Sequence, residues 1–218
     1  MIKLLTLAIT LIILGLILIP WWLNRHTPQP TYQVLKQDGK IELRQYDGML
    51  LATTNVADDR SEAINTGFKR LAGYIFGRHT STDESSIAMT APVMQSKSVK
   101  KTSSISMTAP VMQTASSDHD QAWQVAFVMP KHYSKDTIPK PTDNNIIHVT
   151  QQSSEYLTLR FTGLNNSKRL DEKAMLLKAY AQKHDIEITG EPIFAFYDPP
   201  WIFPWLRRHE VWFLVAEI

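Results

Sequence analysis

The feature that most constrains the fold is the order in which strand and helix patterns follow one another. Ile41, Leu43 and Gln45 alternate with Glu42, Arg44 and Tyr46 after an Asp38-Gly39 turn, as in a strand. Met49–Val56 follows as a second apolar strand segment after Asp47-Gly48. The period then changes to that of a helix, since the apolar residues at 64, 68, 71 and 75 recur every three or four positions. Trp123–Met129 is the next clear strand segment.

The same order returns in the second half of the chain. Strand patterns at Ile146–Thr150 and Tyr156–Phe161 precede a helical stripe of Leu170, Ala174, Leu177 and Ala181. Two strand segments then follow, Ile193–Tyr197 and Val211–Glu217. We therefore expect two consecutive ββαββ-like units, each a hairpin, a helix and a hairpin, in an α+β domain with a mostly antiparallel sheet.

Polar residues at the ends of both helical patterns support these helices. Asp59 and Glu62 are placed as N-cap and N3 partner of the first helix, and Gly77 is suited to end it. In the second helix, Asp171 and Glu172 fall in the expected first turn. Lys183 and His184 fall in the last turn, which matches the helix dipole.

The N-terminus predicts a membrane anchor. Leu4–Leu23 is twenty residues without a charge, enough for a helix to span the ~30 Å hydrocarbon core of a bilayer. Trp21 and Trp22 fall where interfacial aromatic residues are common. A cleaved signal peptide is the alternative, although no small-x-small cleavage site follows. We assign residues 1–26 to a transmembrane helix, 27–31 to a proline-stiffened tether and 32–218 to the folded domain.

Charge and cysteine content exclude several classes of function. Of 23 basic and 21 acidic side chains, Lys3 and Arg25 lie in the first thirty residues, so the remainder is balanced, which argues against nucleic-acid binding. The absence of cysteine excludes a disulfide scaffold and a thiolate metal site. The small excess of positive charge before the apolar segment favours a cytoplasmic N-terminus, with the domain outside the cytoplasm.

A nine-residue segment occurs twice, with eight positions identical: Ile87–Gln95 and Ile105–Gln113. Pro92 and Pro110 imply an edge, a bulge or a bend in the corresponding strand. One interpretation is a duplicated strand that packs under the sheet. The other is a methionine-rich wall for an apolar ligand, made by Met89, Met94, Met107 and Met112.

Several motifs together resemble the SOUL heme-binding protein family. In chain order they are Ile-x-Met-Thr-Ala-Pro-Val after a helix that ends in Leu71–Gly77, Trp123–Pro130, Tyr133, Pro139-Lys-Pro, Arg160–Gly163, Tyr197–Trp201 and Arg207–Val211. The resemblance covers the chain from about Tyr32 to its C-terminus. It implies a single domain of two helix-plus-four-strand units, with a twisted antiparallel sheet or distorted barrel and two helices, which binds heme or another tetrapyrrole non-covalently. We separately expect the protein to be a monomer.

The resemblance also implies a ligand site along the first helix. The candidates there are Phe68, Arg70, Leu71, Ala72 and Ile75, with Lys69 beside them as a second basic residue. The alternative is that the apolar candidates form only a core stripe. Outside the helix, His79 is a possible axial ligand, Met89 and Met107 are possible apolar contacts, and Arg207 and Arg208 are possible partners for propionates or lipid headgroups.

Two features leave other functions open. Trp201, Phe203 and Trp205 form an aromatic segment that either packs on the domain, lines a ligand mouth or enters a membrane interface. Tyr197 and Glu210 are a possible acid–base pair of a hydrolase, and a raised pKa of a buried Glu210 would indicate it. The ordinary interpretation pairs Glu210 with Arg207 or Arg208. We expect a binding protein and not an enzyme, with another apolar small molecule as the alternative ligand.

Overall fold

The computed structural model describes Lys3 and residues 27–77, 87–97, 122–199 and 201–216. Among these residues there are two α-helices, α1 (Arg60–Ile75) and α2 (Ser167–Lys183). One sheet contains the nine strands β1 Tyr32–Asp38, β2 Ile41–Tyr46, β3 Met49–Ala57, β4 Val93–Lys97, β5 Ala122–Val128, β6 Ile146–Gln151, β7 Ser154–Thr162, β8 Ile188–Phe196 and β9 Arg208–Val215. Every strand pair is antiparallel, so the predicted α+β class and antiparallel sheet are confirmed.

The strand order shows two related units, but the first pair of strands in each unit is not a hairpin. The order is β1-β2-β7-β9-β8-β4-β5-β3-β6, in which β2 pairs with β7 and β3 pairs with β6. The units therefore exchange strands, and the predicted hairpins β2–β3 and β6–β7 are wrong. The hairpins predicted after each helix do form, as β4–β5 and β8–β9.

Short connections between distant strands curl the sheet into a half-barrel. Only Asp47 and Gly48 join β2 to β3, although these strands are second and eighth in the order. Only Gln152 and Ser153 join β6 to β7 in the same way. Two residues cannot cross a flat sheet of this width, since strands lie about 4.8 Å apart. The sheet must bend so that one of its faces becomes an inner face.

Both helices lie on the opposite, outer face of the sheet. Leu71, Tyr74 and Ile75 of α1 pack in one buried cluster over β3 and β5. Leu170 and Leu177 of α2 belong to a second cluster over β7, β8 and β9. A third cluster, which includes Tyr46 and Trp212, fills the inner face without helix residues. The core therefore has two layers, one on each side of the sheet.

The helix ends follow the predicted capping in part. The Asp59 carboxylate caps α1 by accepting hydrogen bonds from the backbone N–H groups of Ser61 and Glu62. The Asp59 N–H donates to the Asp58 side chain. The sequence analysis had expected the Glu62 side chain to accept this hydrogen bond. Helix α2 begins at Ser167 with Asn166 as its cap, so Asp171 and Glu172 lie beyond its first turn. That part of the prediction is wrong because the helix starts earlier than its apolar stripe.

The predicted transmembrane helix, Leu4–Leu23, lies outside the described residues and stays a prediction. Within the described part of the chain, neither helix is long and apolar enough to cross a bilayer. The predicted tether at residues 27–31 contacts the domain: the Pro28 carbonyl accepts a hydrogen bond from the Ala91 N–H at 2.9 Å, and Pro30 is buried. The proposed boundary before Tyr32 also stays a prediction.

Candidate functional site

Helix α1 approaches the sheet closely through a glycine. A Cβ atom on Gly67 would lie 2.5 Å from Val125 Cγ2, so only glycine fits against this strand. Leu71 and Ile75 follow on the same side and are fully buried. Leu71 and Ile75 are therefore part of the buried core, which was the alternative interpretation from the sequence. Their side chains do not reach the surface.

One flank of α1 presents an apolar surface to solvent. Phe68 is 38% exposed with its ring 5.4 Å from that of Phe127, and Phe76 is 63% exposed. Ala72 is half-buried and lies one turn after Phe68, since residues four apart are neighbours on a helix surface, and four residues before Phe76, the C-cap residue that follows α1. Lys69 is exposed beside them and makes no hydrogen bond or ion pair with another described residue. We call Phe68, Ala72, Phe76 and Lys69 the α1 stripe.

Arg70 lies on the other flank of the same helix. Residues two apart are separated by about 200° around the axis, so Arg70 points away from Phe68. Its guanidinium donates to Thr54 Oγ1 at 2.8 Å and lies 3.4 Å from the Asp143 carboxylate. Arg70 is therefore part of the packing between α1 and β3, and the cation that accompanies the α1 stripe is Lys69.

The methionine-rich wall does not form from the first copy of the repeat. Met89 packs against the α1 cluster on the outer face, whereas Met94 is buried on the inner face. The bend expected at the proline precedes β4, where the Ala91–Pro92 peptide bond is cis. Met107 and Met112 of the second copy lie outside the described residues.

The described histidines are held in local contacts. His148 Nε2 lies 3.0 Å from the Tyr74 hydroxyl. Burial is the main cause that lowers the pKa of His148, and the nearby positive charge of Lys135 lowers it further. His209 is buried, and its Nε2 lies 3.0 Å from the Gly163 carbonyl oxygen. No cluster of three metal-binding side chains occurs among the described residues. His79 lies outside them.

A buried charge network occupies the inner face and centres on Glu210. This carboxylate is 0% exposed and accepts hydrogen bonds from Arg44 at 2.9 and 3.2 Å and from Arg208 at 2.7 and 3.0 Å. It also accepts from the Tyr197 hydroxyl at 2.9 Å and from Trp212 Nε1 at 2.8 Å. These donors occupy the acceptor capacity of both oxygens.

The network balances its charges and keeps Glu210 ionised. Burial raises the pKa of Glu210, but Arg44 and Arg208 outweigh it, so the pKa lies below the usual 4.5. Burial, together with the nearby Glu210 charge, raises the pKa of Tyr197 well above 10, so its hydroxyl stays a donor. Glu42 contacts Arg44 at 2.6 Å and supplies the second carboxylate for the two guanidinium groups.

The two candidate arginines of the last strand have separate roles. Arg208 pairs with Glu210 at 2.7 Å, as one of the ordinary interpretations expected. Its Nη1 donates to Gln29 Oε1 at 3.0 Å, and its guanidinium lies 3.8 Å from the centre of the Tyr197 ring. Arg207 Nε instead donates to the Ile202 carbonyl at 2.6 Å and holds the loop before β9.

The most important residues that the sequence analysis missed are Arg44 and Phe76, whereas Lys69 was expected as a basic residue beside the candidate helix surface. Arg44 is 2% exposed. The alternating pattern of β2 places it on the same face as Tyr46, but the pattern does not show that this face is buried. Phe68 and Ala72 were candidates, and the continuation of their four-residue spacing to Phe76 is the signal that could have identified it. The separation of the two faces needs the position of the sheet.

Comparisons with known proteins agree on the family and the fold. The family model described as SOUL heme-binding protein matches residues 27–214. Heme-binding protein 2 of Mus musculus is 26% identical over 182 residues, which cover 82% of this chain and 79% of that protein.

Two solved structures show the same fold at low sequence identity. The EcmrR C-terminal domain has a TM-score of 0.58 at 13% identity, with 86% of this chain and 99% of that chain covered. A hydrolase from Listeria innocua has a TM-score of 0.53 at 9% identity, with 84% and 94% covered. These likenesses concern the fold alone, since one fold supports many functions.

Proposed function

Because this chain belongs to the SOUL heme-binding protein family, we propose that it binds heme or a related tetrapyrrole non-covalently at the α1 stripe. The role is that of a carrier, buffer or sensor at a membrane. Heme would supply a flat apolar ring with two propionates, so its binding requires an apolar surface with a cation at the edge. The α1 stripe has both properties, and this is the observation that carries the proposal.

The residues of the stripe fit a ring that lies against the helix. Phe68 and Phe76 expose aromatic surface on either side of Ala72. The small Ala72 side chain leaves a shallow depression between the two rings. Lys69 is adjacent and has no described partner, so its ammonium is available to a carboxylate. Phe68, Ala72 and Phe76 carry no atom that binds iron, and the role of Lys69 would be to pair with a propionate. We therefore expect the macrocycle to supply most of the binding free energy.

An absorbance titration of the full chain in detergent micelles tests this proposal. Hemin and iron-free protoporphyrin should both shift their Soret bands, with similar affinities. Tighter binding of hemin by a large factor would require an iron ligand outside the stripe. No Soret change with either compound would overturn the proposal and favour a different apolar ligand.

Two pairs of variants locate the site. Phe76→Ser should weaken protoporphyrin binding about tenfold, the effect of losing part of a buried aromatic contact. Met175→Ser is its matched control on α2, because the two side chains are 63% and 64% exposed. Lys69→Glu should weaken binding mainly at low salt, whereas Lys178→Glu on α2 should not. Equal losses within either pair would place the ligand elsewhere.

We also propose that residues 1–26 anchor the protein and that its domain lies outside the cytoplasm. The uncharged segment Leu4–Leu23 and the basic residue before it support this orientation. A reporter enzyme that is active only outside the cytoplasm should be active when it is fused after Ile218. An inactive but expressed fusion would reverse the orientation.

A binding role is favoured over hydrolysis by the state of Glu210. A general acid needs a raised pKa and contact with substrate. Glu210 has a lowered pKa and no exposed surface, and its oxygens are occupied by Arg44, Arg208, Tyr197 and Trp212. These contacts support a structural role for the network.

A further inference from the structure

An aromatic loop projects from the domain between β8 and β9. Trp201, Phe203 and Trp205 are 74%, 39% and 65% exposed, and we call these three residues the aromatic loop. The rings of Phe203 and Trp205 stack with centroids 4.8 Å apart. Large aromatic side chains that stay in water indicate an interaction surface, since soluble proteins rarely expose contiguous apolar patches without a function.

The loop is held in this exposed position by hydrogen bonds to its backbone carbonyl groups. Ile202 between the aromatic residues is 3% exposed, and its carbonyl accepts a hydrogen bond from Arg207. Residues Pro204–Leu206 form a 3-10 turn, and the Pro204 carbonyl accepts from the Gly163 N–H at 2.9 Å. The aromatic rings are therefore presented on a fixed turn. Leu164 beside Gly163 adds a fourth exposed apolar side chain, 54% exposed.

The N-terminal chain enters the domain next to this loop. Gln29 Oε1 accepts a hydrogen bond from Arg208, the residue that follows the loop and begins β9. The Arg208 N–H in turn donates to Asp198, the residue just before the loop. Gln29 lies six positions after Leu23, the end of the predicted membrane segment. Such a length spans at most about 20 Å.

The charge around the loop suits a phospholipid surface. Arg207 directly follows the loop, and Arg169 lies beside it, where its guanidinium donates to the Thr162 carbonyl at 2.9 Å next to Gly163, which is bonded to Pro204. Both arginines are half-buried. Basic side chains beside tryptophan are typical of protein surfaces at the headgroup level of a bilayer, where amphipathic rings and cations are both stabilised.

We propose that the aromatic loop docks into the interfacial region of the bilayer that anchors the chain. This inference rests on the membrane anchor proposed above and is independent of heme binding. Docking would fix the orientation of the domain, because the loop and the N-terminal segment would hold it at two points. The bilayer is the preferred occupant because the anchor keeps it within reach of the loop.

The absence of cysteine allows a direct test in the full chain reconstituted into phosphatidylcholine–phosphatidylglycerol vesicles. Trp201→Cys places a single nitroxide label in the loop, and Met175→Cys places a matched label on α2. Electron paramagnetic resonance then compares collisions of each label with oxygen, which enriches in lipid, and with a water-soluble nickel chelate. The 201 label should favour oxygen and the 175 label should favour nickel. Adding Phe203→Ser and Trp205→Ser should return the 201 label to the behaviour of the control.

The outcomes separate the anchor from the loop. If the chain fails to float with the vesicles, the anchor is refuted and docking with it. If the chain floats and both labels are equally accessible to nickel, loop docking alone is refuted. A 201 label that is shielded from both oxygen and nickel indicates a protein contact in place of lipid and also overturns the proposal. Protoporphyrin binding, measured separately, is expected to be unchanged in the Trp201→Cys chain.

Discussion

Glu210 is the residue on which the inner face depends most. Its buried carboxylate is shared by two guanidinium groups, so each of Arg44 and Arg208 would lose its main counter-charge without it. Breaking a buried ion pair by removing one partner typically costs about 3–5 kcal/mol, since the remaining charge stays desolvated.

Glu210→Gln should therefore lower the free energy of unfolding by about 3–5 kcal/mol. Urea denaturation followed by far-ultraviolet circular dichroism measures this loss. Glu191→Gln changes an exposed residue of β8 and should stay within about 0.5 kcal/mol of the parent. A similar result for both variants would mean that the network contributes little.

The same residue sets an expected pH dependence. The folded pKa of Glu210 lies below 4.5, so its contribution to stability is fully present above that pH. The contribution is lost as the pH falls through the folded pKa, because the carboxylate then becomes protonated. The stability difference between the parent and Glu210→Gln should shrink on acidification below about pH 4.5 and stay constant between pH 6 and 8.

Gly67 controls the distance between α1 and the sheet. Alanine is a better helix former by about 1 kcal/mol, but its methyl group would meet the stiff Val125 side chain. Gly67→Ala should destabilise the protein by about 1–3 kcal/mol through overpacking. The double variant Gly67→Ala, Val125→Ala should lose less than the sum of the single changes. Additive losses in urea denaturation would show that the contact is not the cause.

At the scale of single elements, the helix caps act locally, whereas the short links between strands do not. The cap of α1 can be tested by itself, because Asp59 is exposed and its side chain bonds only the first turn of the helix. The links at Asp47–Gly48 and Gln152–Ser153 act on the whole sheet, since each carries the chain from one half of the half-barrel to the other.

Asp59→Ala should lower the free energy of unfolding by about 1 kcal/mol, the usual cost of an N-cap. Asp136→Ala removes another exposed aspartate, in the loop before β6, and serves as the control. Thermal unfolding of both variants gives the comparison. An unchanged transition for Asp59→Ala would assign the start of α1 to packing alone.

At the scale of the whole molecule, residues 28–31 join the domain to its predicted anchor and also contact it. The Pro28 carbonyl bonds Ala91, Gln29 bonds Arg208, and Thr31 Oγ1 bonds the Asp47 carboxylate at 2.5 Å. These contacts link the segment to the β2–β3 connection, the bend before β4 and the start of β9. The segment therefore stabilises several elements that are distant in sequence.

A chain that starts at residue 27 should consequently be more stable than one that starts at residue 32. The shorter chain loses four hydrogen bonds, including the one that Lys131 donates to Thr31 Oγ1, and the buried Pro30, and each net hydrogen bond contributes about 1 kcal/mol. Urea denaturation of the two chains measures the difference. Identical midpoints would restore the interpretation of residues 27–31 as a simple spacer.

The sequence by itself determined the helices, most strands and the antiparallel α+β class. These follow from contacts between neighbours in the chain, such as the i, i+4 spacing from Ile64 to Phe68 and the Asp59 cap. The motif order also led to the family that the family model matches. Local periodicity states which side chains share a face, and Leu71 and Ile75 of the predicted stripe are buried, whereas Phe68 is 38% exposed.

Only the tertiary structure decided which face is covered and which strands pair. The alternation in β2 put Arg44 and Tyr46 on the face opposite Ile41 and Leu43, where a flat sheet would meet water. The curl of the sheet buries that face against Glu210 and Trp212, whose positions in sequence are more than 160 residues away. Contact with the sheet likewise decides that Arg70 packs against β3, whereas the α1 stripe on the other flank of the helix faces solvent. A pattern records the period of a helix or strand, whereas burial depends on long-range contacts that no local pattern contains.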